Sequence, residues 1–126
     1  RLQLELVAPD YDGFVYVDYF TADGNVIHLQ PNSIVPLEFA PAKSPLSVGK
    51  TRGDKPALDM KISPPFGHEI AAAFASSIPL YEGLRPLQES AEPYLNFLQE
   101  QVAIAREKNP SFKGEWVYFF ISTKKN

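Results

Sequence analysis

The sequence predicts a mainly β domain with one long helix, arranged as a β-sandwich of about seven mostly antiparallel strands. Three observations indicate this class. Apolar and polar residues alternate at the amino-terminal end, a hairpin signal joins two β-forming runs, and helical periodicity occurs only ahead of the last aromatic run. The 126 residues, 44% of them hydrophobic, suit a single domain with its own core. Because Arg1 falls inside a predicted strand, we expect this domain, residues 1–126, to be a piece of a longer chain.

Charge and residue content exclude several functional classes. Twelve Lys and Arg stand against fifteen Asp and Glu, whereas nucleic-acid binders usually carry a basic face, so no nucleic-acid partner is expected. Apolar runs such as residues 70–75 are far shorter than the ~20 residues of a bilayer span, so we expect no membrane insertion by this chain. The absence of cysteine excludes disulfides, cysteine catalysis and thiolate metal sites.

The first thirty residues have the composition of strands. Leucine alternates with polar residues over 2–6, the period of two expected when one sheet face is buried. Residues 14–20 are aromatic or valine except for Asp18, which predicts a central strand. The turn residues at 22–25 predict a hairpin, with 26–29 returning antiparallel. Together these three segments predict a meander.

The middle of the chain is rich in proline. Eight of the twelve prolines lie at positions 31–79, and each lacks the backbone donor that a central strand needs. Short strands fit between them at 33–37, 46–49 and 58–62.

Residues 67–77 are compatible with two structures. The alanine-rich run has high helix propensity, but Ile70, Ala72 and Phe74 alternate, and flanking prolines leave room for little more than ten residues. Strand and helix both stay open here, with the strand favoured.

The tail predicts the long helix and a last strand. Residues 84–109 hold apolar side chains at three- and four-residue steps, with Ser90 as a candidate N-cap and Pro110 as the stop. The aromatic run at 115–122 predicts a final buried strand, so the helix precedes the last strand.

Two loop motifs invite functional readings that their context does not support. Residues 49–51 (Gly-Lys-Thr) lack the earlier glycine of a phosphate-binding loop, because position 44 is Ser44 and Pro45 removes a donor. Residues 52–54 (Arg-Gly-Asp) spell an adhesion tripeptide, but the simpler interpretation is a solvated turn.

The histidines and acidic turns do not predict a reactive centre. His68 lacks the second histidine four residues later, where Ala72 stands. Alternation can place His28 on the solvent face of its strand. Asp12 and Asp23 are expected to accept hydrogen bonds within turns rather than to bind calcium. We therefore predict no catalytic residues, no cofactor, no metal site and no enzymatic activity.

Aromatic residues supply the candidate binding surface. Most of those on the second and last strands are core residues, but alternation sends part of each set to the opposite face. A partner surface is predicted to include some of four residues: Tyr11, Tyr16, Tyr118 and Phe120.

Several segments in order resemble the domain-of-unknown-function family 4384 of bacterial accessory domains. They are residues 13–20 (GFVYVDYF), 22–26 (ADGNV), 28–32 (HLQPN), 46–49 (LSVG), 62–69 (ISPPFGHE), 75–81 (ASSIPLY) and a closing strand that ends at 121–123 (IST). The resemblance implies a β-rich, non-catalytic appendage, typically carboxy-terminal to caspase-like peptidase or serine/threonine kinase-like modules. It favours the cell envelope or periplasm over the cytoplasm.

The resulting functional prediction is a non-catalytic protein-interaction or scaffolding module of a larger bacterial protein. It would engage a protein partner through an exposed aromatic patch or an unpaired strand edge. The alternative is an envelope-associated module that binds a small molecule, a glycan or peptidoglycan, with the aromatic rings as stacking platforms.

Overall fold

The computed structural model describes residues 4–48 and 68–122, without the side chains of residues 68 and 119–122. In chain order its elements are β1 (Leu4–Val7), β2 (Gly13–Phe20), β3 (Asn25–Gln30), β4 (Phe39–Ala40), β5 (Pro45–Val48), β6 (His68–Ser76), β7 (Gln88–Ser90), α1 (Ala91–Lys108) and β8 (Gly114–Ser122). Every described strand pairing is antiparallel. The predicted mainly β class, with one helix before the last strand, is confirmed.

Two sheets form the sandwich. The large sheet has the order β7-β3-β2-β6-β8, with β4 paired to the start of β2, and the small sheet consists of β1 and β5. β2 is central, as predicted, and forms the predicted hairpin with β3. The predicted meander is wrong, because β1 leaves the hairpin and pairs with β5, matching Leu4 with Val48 and Leu6 with Leu46. That register lets both leucines pack on the core between the sheets.

The two faces of the large sheet have different coverings. On one face Val15, Val17 and Tyr19 pack with three alanines of β6 against the small sheet; these alanines are Ala71, Ala73 and Ala75. On the other face Tyr16 and Phe74 pack against the buried residues of α1. The alternation of β2 therefore supplies both cores, since successive side chains of a strand point to opposite faces. The helix forms a third layer over the sandwich.

β6 settles the two alternatives left open for residues 67–77. It is a strand that lies between β2 and β8 and pairs with both along most of its length. Ala71, Ala72, Ala73 and Ala75 are all buried. Cross-strand hydrogen bonds on both sides, with both faces covered, outweigh the weak intrinsic preference of alanine for helix.

The helix occupies the carboxy-terminal part of the predicted span, 84–109. α1 runs over Ala91–Lys108, and the three residues before it form β7 on the free side of β3. Ser90 is at the N-cap position, but its side chain makes no capping hydrogen bond. The backbone N–H of Ala91 instead donates to Gly24 O at 2.9 Å. The hairpin turn thus fixes the start of the helix.

The predicted strand at 33–37 is wrong. The side-chain oxygen of Asn32 accepts the backbone N–H groups of Ile34 and Val35, each at 2.8 Å. Such a local turn uses the donors that strand pairing would need. The strand predicted at 46–49 is observed as β5, and the one at 58–62 lies outside the described residues. In the part of the chain that the structure describes, no helix is long and apolar enough to cross a membrane.

Candidate functional site

β8 forms an edge of the large sheet. It pairs with β6 from Gly114 to Ser122, and among residues 4–48 and 68–122 no strand pairs with its other side. Val117 and Tyr118 are 46% and 55% exposed. The strand is correctly predicted, but its burial is not, because an edge strand is paired on one side only. Free N–H and C=O groups on such an edge can pair with a further strand.

An apolar cleft runs between β8 and α1. It encloses about 540 Å³. The helix lines it at positions spaced three and four residues apart, and β2, β6 and β8 supply the floor. The lining residues are Phe20, Ile70, Leu95, Leu98, Gln99, Val102, Trp116 and Tyr118. Most of these side chains are apolar, so the cleft suits an apolar guest with few hydrogen-bonding groups.

Two stacked aromatic rings mark the β8 side of the cleft. The rings of Trp116 and Tyr118 lie 5.7 Å apart and nearly parallel, at 10°. Trp116 also packs on Phe74 of the core, with ring centroids 4.7 Å apart. The tryptophan is therefore anchored, whereas Tyr118 extends from it toward solvent.

The structure separates the four residues predicted for a partner surface. Tyr118 lies at the cleft, and the side chain of Phe120 is outside the described set. Tyr11 is half-buried on the other side of the sheet and donates its hydroxyl to Ala75 O at 3.1 Å. Tyr16 is 1% exposed and accepts the backbone N–H of Leu80 at 2.8 Å. Burial in the helix-facing core removes Tyr16 from any surface.

A hydrogen-bonded network of charged side chains lies beneath the helix, with Asp18 and His28 buried and Glu89 and Arg85 partly exposed. Asp18 Oδ1 is 2.7 Å from His28 Nδ1, and Glu89 Oε2 is 2.7 Å from His28 Nε2. Arg85 donates to both oxygens of Glu89, at 3.0 and 2.6 Å. Tyr94 donates its hydroxyl to Asp18 Oδ2 at 2.6 Å. Negative and positive groups alternate, and each carboxylate oxygen has a donor.

The electrostatics of this network of side chains favour a doubly protonated imidazole at His28. Burial by itself would lower the pKa of His28, but Asp18 and Glu89 outweigh burial and raise it. Burial would likewise raise the pKa of Glu89, but Arg85 and His28 lower it. Burial first, and then the charge of Asp18, raise the pKa of Tyr94. A protonated His28 donates from both ring nitrogens, and the raised pKa of Tyr94 keeps its hydroxyl protonated.

This network of charged side chains links structural elements, and it is not arranged as a catalytic site. His28 is 1% exposed, and both its nitrogens are committed to carboxylates. A triad would need a serine or other nucleophile in place of one of those carboxylates. Within the described ranges no group of three or more His, Cys, Asp or Glu side chains can hold a metal ion. The tripeptides at 49–51 and 52–54 lie outside the described residues.

Sequence analysis did not predict this network of charged side chains, and it allowed the central residue, His28, to lie on the solvent face. His28 faces the helix, not solvent, because it lies in register with Asp18 on the neighbouring strand. One signal was present: Asp18 interrupts an otherwise apolar run that predicts a central strand. A carboxylate buried there requires cationic or hydroxyl partners, although only the fold identifies them.

Residues 4–79 match the family model described as "Domain of unknown function (DUF4384)". No curated protein and no solved structure matches the chain. The matched segment is more than half of the chain and contains β1 to β6, whereas β7, α1 and β8 follow it. The cleft and the network of charged side chains each combine strands from the matched segment with elements beyond it.

Proposed function

The chain belongs to the DUF4384 family, whose description assigns no function, and we propose that it is a non-catalytic protein-interaction module that binds an extended partner segment along β8. The observation that carries the proposal is a nine-residue edge strand beside an apolar cleft. In strand addition, main-chain hydrogen bonds provide affinity and pockets for alternate side chains provide specificity. Here β8 offers the hydrogen bonds and the cleft offers the pocket.

The geometry of β8 defines the chemistry of the partner segment. Its side chains on the helix side would enter the cleft next to Trp116 and Tyr118, so every second residue is expected to be large and apolar. Its other side chains would lie next to Glu115 and Val117. A basic residue beside Glu115 and a β-branched residue beside Val117 give favourable cross-strand pairs.

A small apolar ligand is the second candidate function. A volume of about 540 Å³ is typical of small-molecule sites, and the stacked rings of Trp116 and Tyr118 offer a flat platform. A glycan or peptidoglycan fragment is less well supported, since it needs several hydrogen-bonding groups and the lining of the cleft is mostly apolar. On either candidate the domain acts as an accessory of a larger bacterial protein, and the family resemblance favours the cell envelope.

Peptide selection tests the first candidate directly. A phage-displayed library of random dodecapeptides is selected on the purified chain, and binding is measured by the fluorescence of Trp116, the single tryptophan. Selected peptides should alternate large apolar residues and shift the emission to shorter wavelength. Val117→Lys, which places a charge on the strand edge, should weaken binding at least about tenfold.

Two further variants complete the test, in which Val117→Lys distinguishes strand addition from binding of a small ligand in the cleft. Ile104→Lys is the matched control, because Ile104 is similarly exposed but lies on the helix face away from the cleft. Leu95→Glu places a charge in the cleft and should block both kinds of ligand. Peptides that bind Val117→Lys as well as the wild type contradict strand addition. Failure to enrich any alternating peptide contradicts it as well.

A further inference from the structure

His28 is the point where four elements meet. Its ring lies against Asp18 of β2, Glu89 of β7 and the ring of Tyr94 on α1, with the two ring centroids 4.5 Å apart. Its backbone N–H also donates to Leu87 O at 2.9 Å. We infer that β7 and the first turns of α1 form a latch that a single proton on His28 holds closed. This inference does not depend on the proposed partner binding.

The proton is required by the geometry of the ring. A neutral imidazole has one donor nitrogen and one acceptor nitrogen, whereas both nitrogens of His28 are 2.7 Å from carboxylate oxygens. Loss of the proton would place a lone pair against either Asp18 or Glu89. It would also change the net charge of the four groups Asp18, His28, Glu89 and Arg85, of which Asp18 and His28 are buried, from neutral to negative.

Glu89 is the carboxylate that can leave. Asp18 is on the central strand, is almost fully buried and holds the hydroxyl of Tyr94. Glu89 is on a three-residue edge strand, and its side chain is 14% exposed, while that of its partner Arg85 is 29% exposed. The Arg85–Glu89 pair can therefore move into water intact, and β7 would then separate from His28.

Release of β7 would free the start of the helix. Ser90 ends β7 and is followed directly by Ala91, the first residue of α1. The bond from Ala91 N–H to Gly24 O lies at this junction, and Leu95 of the cleft is one helical turn further on. Opening of the latch would thus loosen the amino-terminal part of the cleft roof.

The ionisable groups around His28 and its two carboxylate partners set the direction of the switch. They are Asp18 and Tyr16 on β2, Glu89 on β7, Arg85 and Tyr81 in the segment before β7, and Tyr94 on α1. Burial raises the pKa of the three tyrosines, so they stay neutral. The pKa of His28 is raised above its ordinary 6.5, since the carboxylates outweigh burial. The latch is therefore tightest below that ordinary value and weakens as pH rises toward the raised one.

Hydrogen exchange of the whole 126-residue chain tests the latch. After correction for the intrinsic pH dependence of exchange, protection of the amides at 88–91 should fall about tenfold per pH unit between 6.5 and the raised pKa. The amides of β2 and β6 should stay more strongly protected than those at 88–91 throughout that interval, because they exchange only when the whole domain unfolds. In His28→Gln the amides at 88–91 should be weakly protected and should show no such pH dependence.

A second measurement holds even if His28→Gln does not fold. The His28 ring is titrated by NMR in the wild type, in Glu89→Gln and in Glu92→Gln, the last being a control on the exposed first turn of α1. Glu89→Gln should lower the His28 pKa by about one unit or more, and Glu92→Gln should leave it unchanged. Constant protection at 88–91 in the wild type, or an ordinary His28 pKa unaffected by Glu89→Gln, would overturn the inference.

Discussion

Asp18 and His28 occupy directly opposed positions on β2 and β3, and their side chains meet at 2.7 Å on the helix-facing side of the sheet. The pairing register shifts between Val17 and Asp18. Such irregularities re-aim a side chain within a sheet. From this position the carboxylate also accepts the hydroxyl of Tyr94. One acidic residue on the central strand therefore joins two strands and the helix.

Removing that carboxylate should be strongly destabilising. Asp18→Ala leaves the imidazolium of His28 without one partner and the Tyr94 hydroxyl without an acceptor in a buried site. Breaking a buried ion pair by deleting one partner typically costs about 3–5 kcal/mol. Urea denaturation followed by circular dichroism measures the change in the free energy of unfolding. Asp12→Ala is the control, since Asp12 is exposed and accepts a single backbone N–H; an equal loss in both variants would contradict the role of Asp18.

The stability of the domain should be greatest at mildly acidic pH. The folded-state pKa of His28 is raised above 6.5, so its stabilisation is full below 6.5 and is lost as pH rises through the raised value. The pKa of Glu89 is lowered below 4.5, so its stabilisation is full above 4.5 and is lost as pH falls through the lowered value. Thermal denaturation midpoints measured from about pH 3 to about pH 9 should peak between these limits. His28→Gln should flatten the alkaline side, and a midpoint that rises from neutral to alkaline pH would refute the assignment.

Gly13 should be far less tolerant of substitution than Gly114. A Cβ added at Gly13 would lie 2.2 Å from the backbone oxygen of Ser76, so the paired ends of β2 and β6 would have to separate. At Gly114 the nearest atoms, at 2.6 and 3.0 Å, are the ring tips of Phe74 and Phe112. Overpacking of side chains typically costs about 1–3 kcal/mol, and displacement of backbone costs more. Chemical denaturation of the two Gly→Ala variants should therefore show the larger loss at Gly13, and the reverse order would contradict the described packing.

The two stacked rings at the cleft should contribute unequally to stability. Trp116 packs on the buried ring of Phe74, so Trp116→Ala should cost about 2–4 kcal/mol, somewhat below a fully buried aromatic residue. Tyr118 is largely exposed, and Tyr118→Ala should cost less than about 1 kcal/mol. Circular dichroism in denaturant measures both, because the first variant removes the fluorophore. Equal costs would show that Tyr118 is packed as firmly as Trp116.

Much of the β framework follows from local sequence. Period-two alternation and turn chemistry are short-range properties, and they suffice for β1, the β2–β3 hairpin, β5 and β8. The helix is predictable for the same reason, from its periodicity and from Pro110. The family resemblance, carried by motifs in order, is confirmed by the match over residues 4–79.

Strand pairing and strand order depend on contacts between residues distant in the sequence, and local patterns do not specify those contacts. β1 pairs with β5 about forty positions away, and no periodicity specifies which strand a leucine-rich segment joins. The alanines of β6 became a strand because β2 and β8 pair with them on both sides, which overrides intrinsic propensity. The edge position of β8, which exposes Tyr118, likewise depends on strand order and not on composition.

The network of charged side chains shows most clearly which features local sequence predicts and which only the tertiary structure decides. From sequence alone, the single acid in the apolar run of β2 already requires a compensating partner, because an isolated buried carboxylate is too costly to keep. Only the fold assigns that role to His28 and Tyr94, which lie 10 and 76 positions away from Asp18. The physical reason is that the burial and charge of one residue are enough to require a partner for it. The partners themselves are brought beside it by the packing of segments that are distant in the sequence.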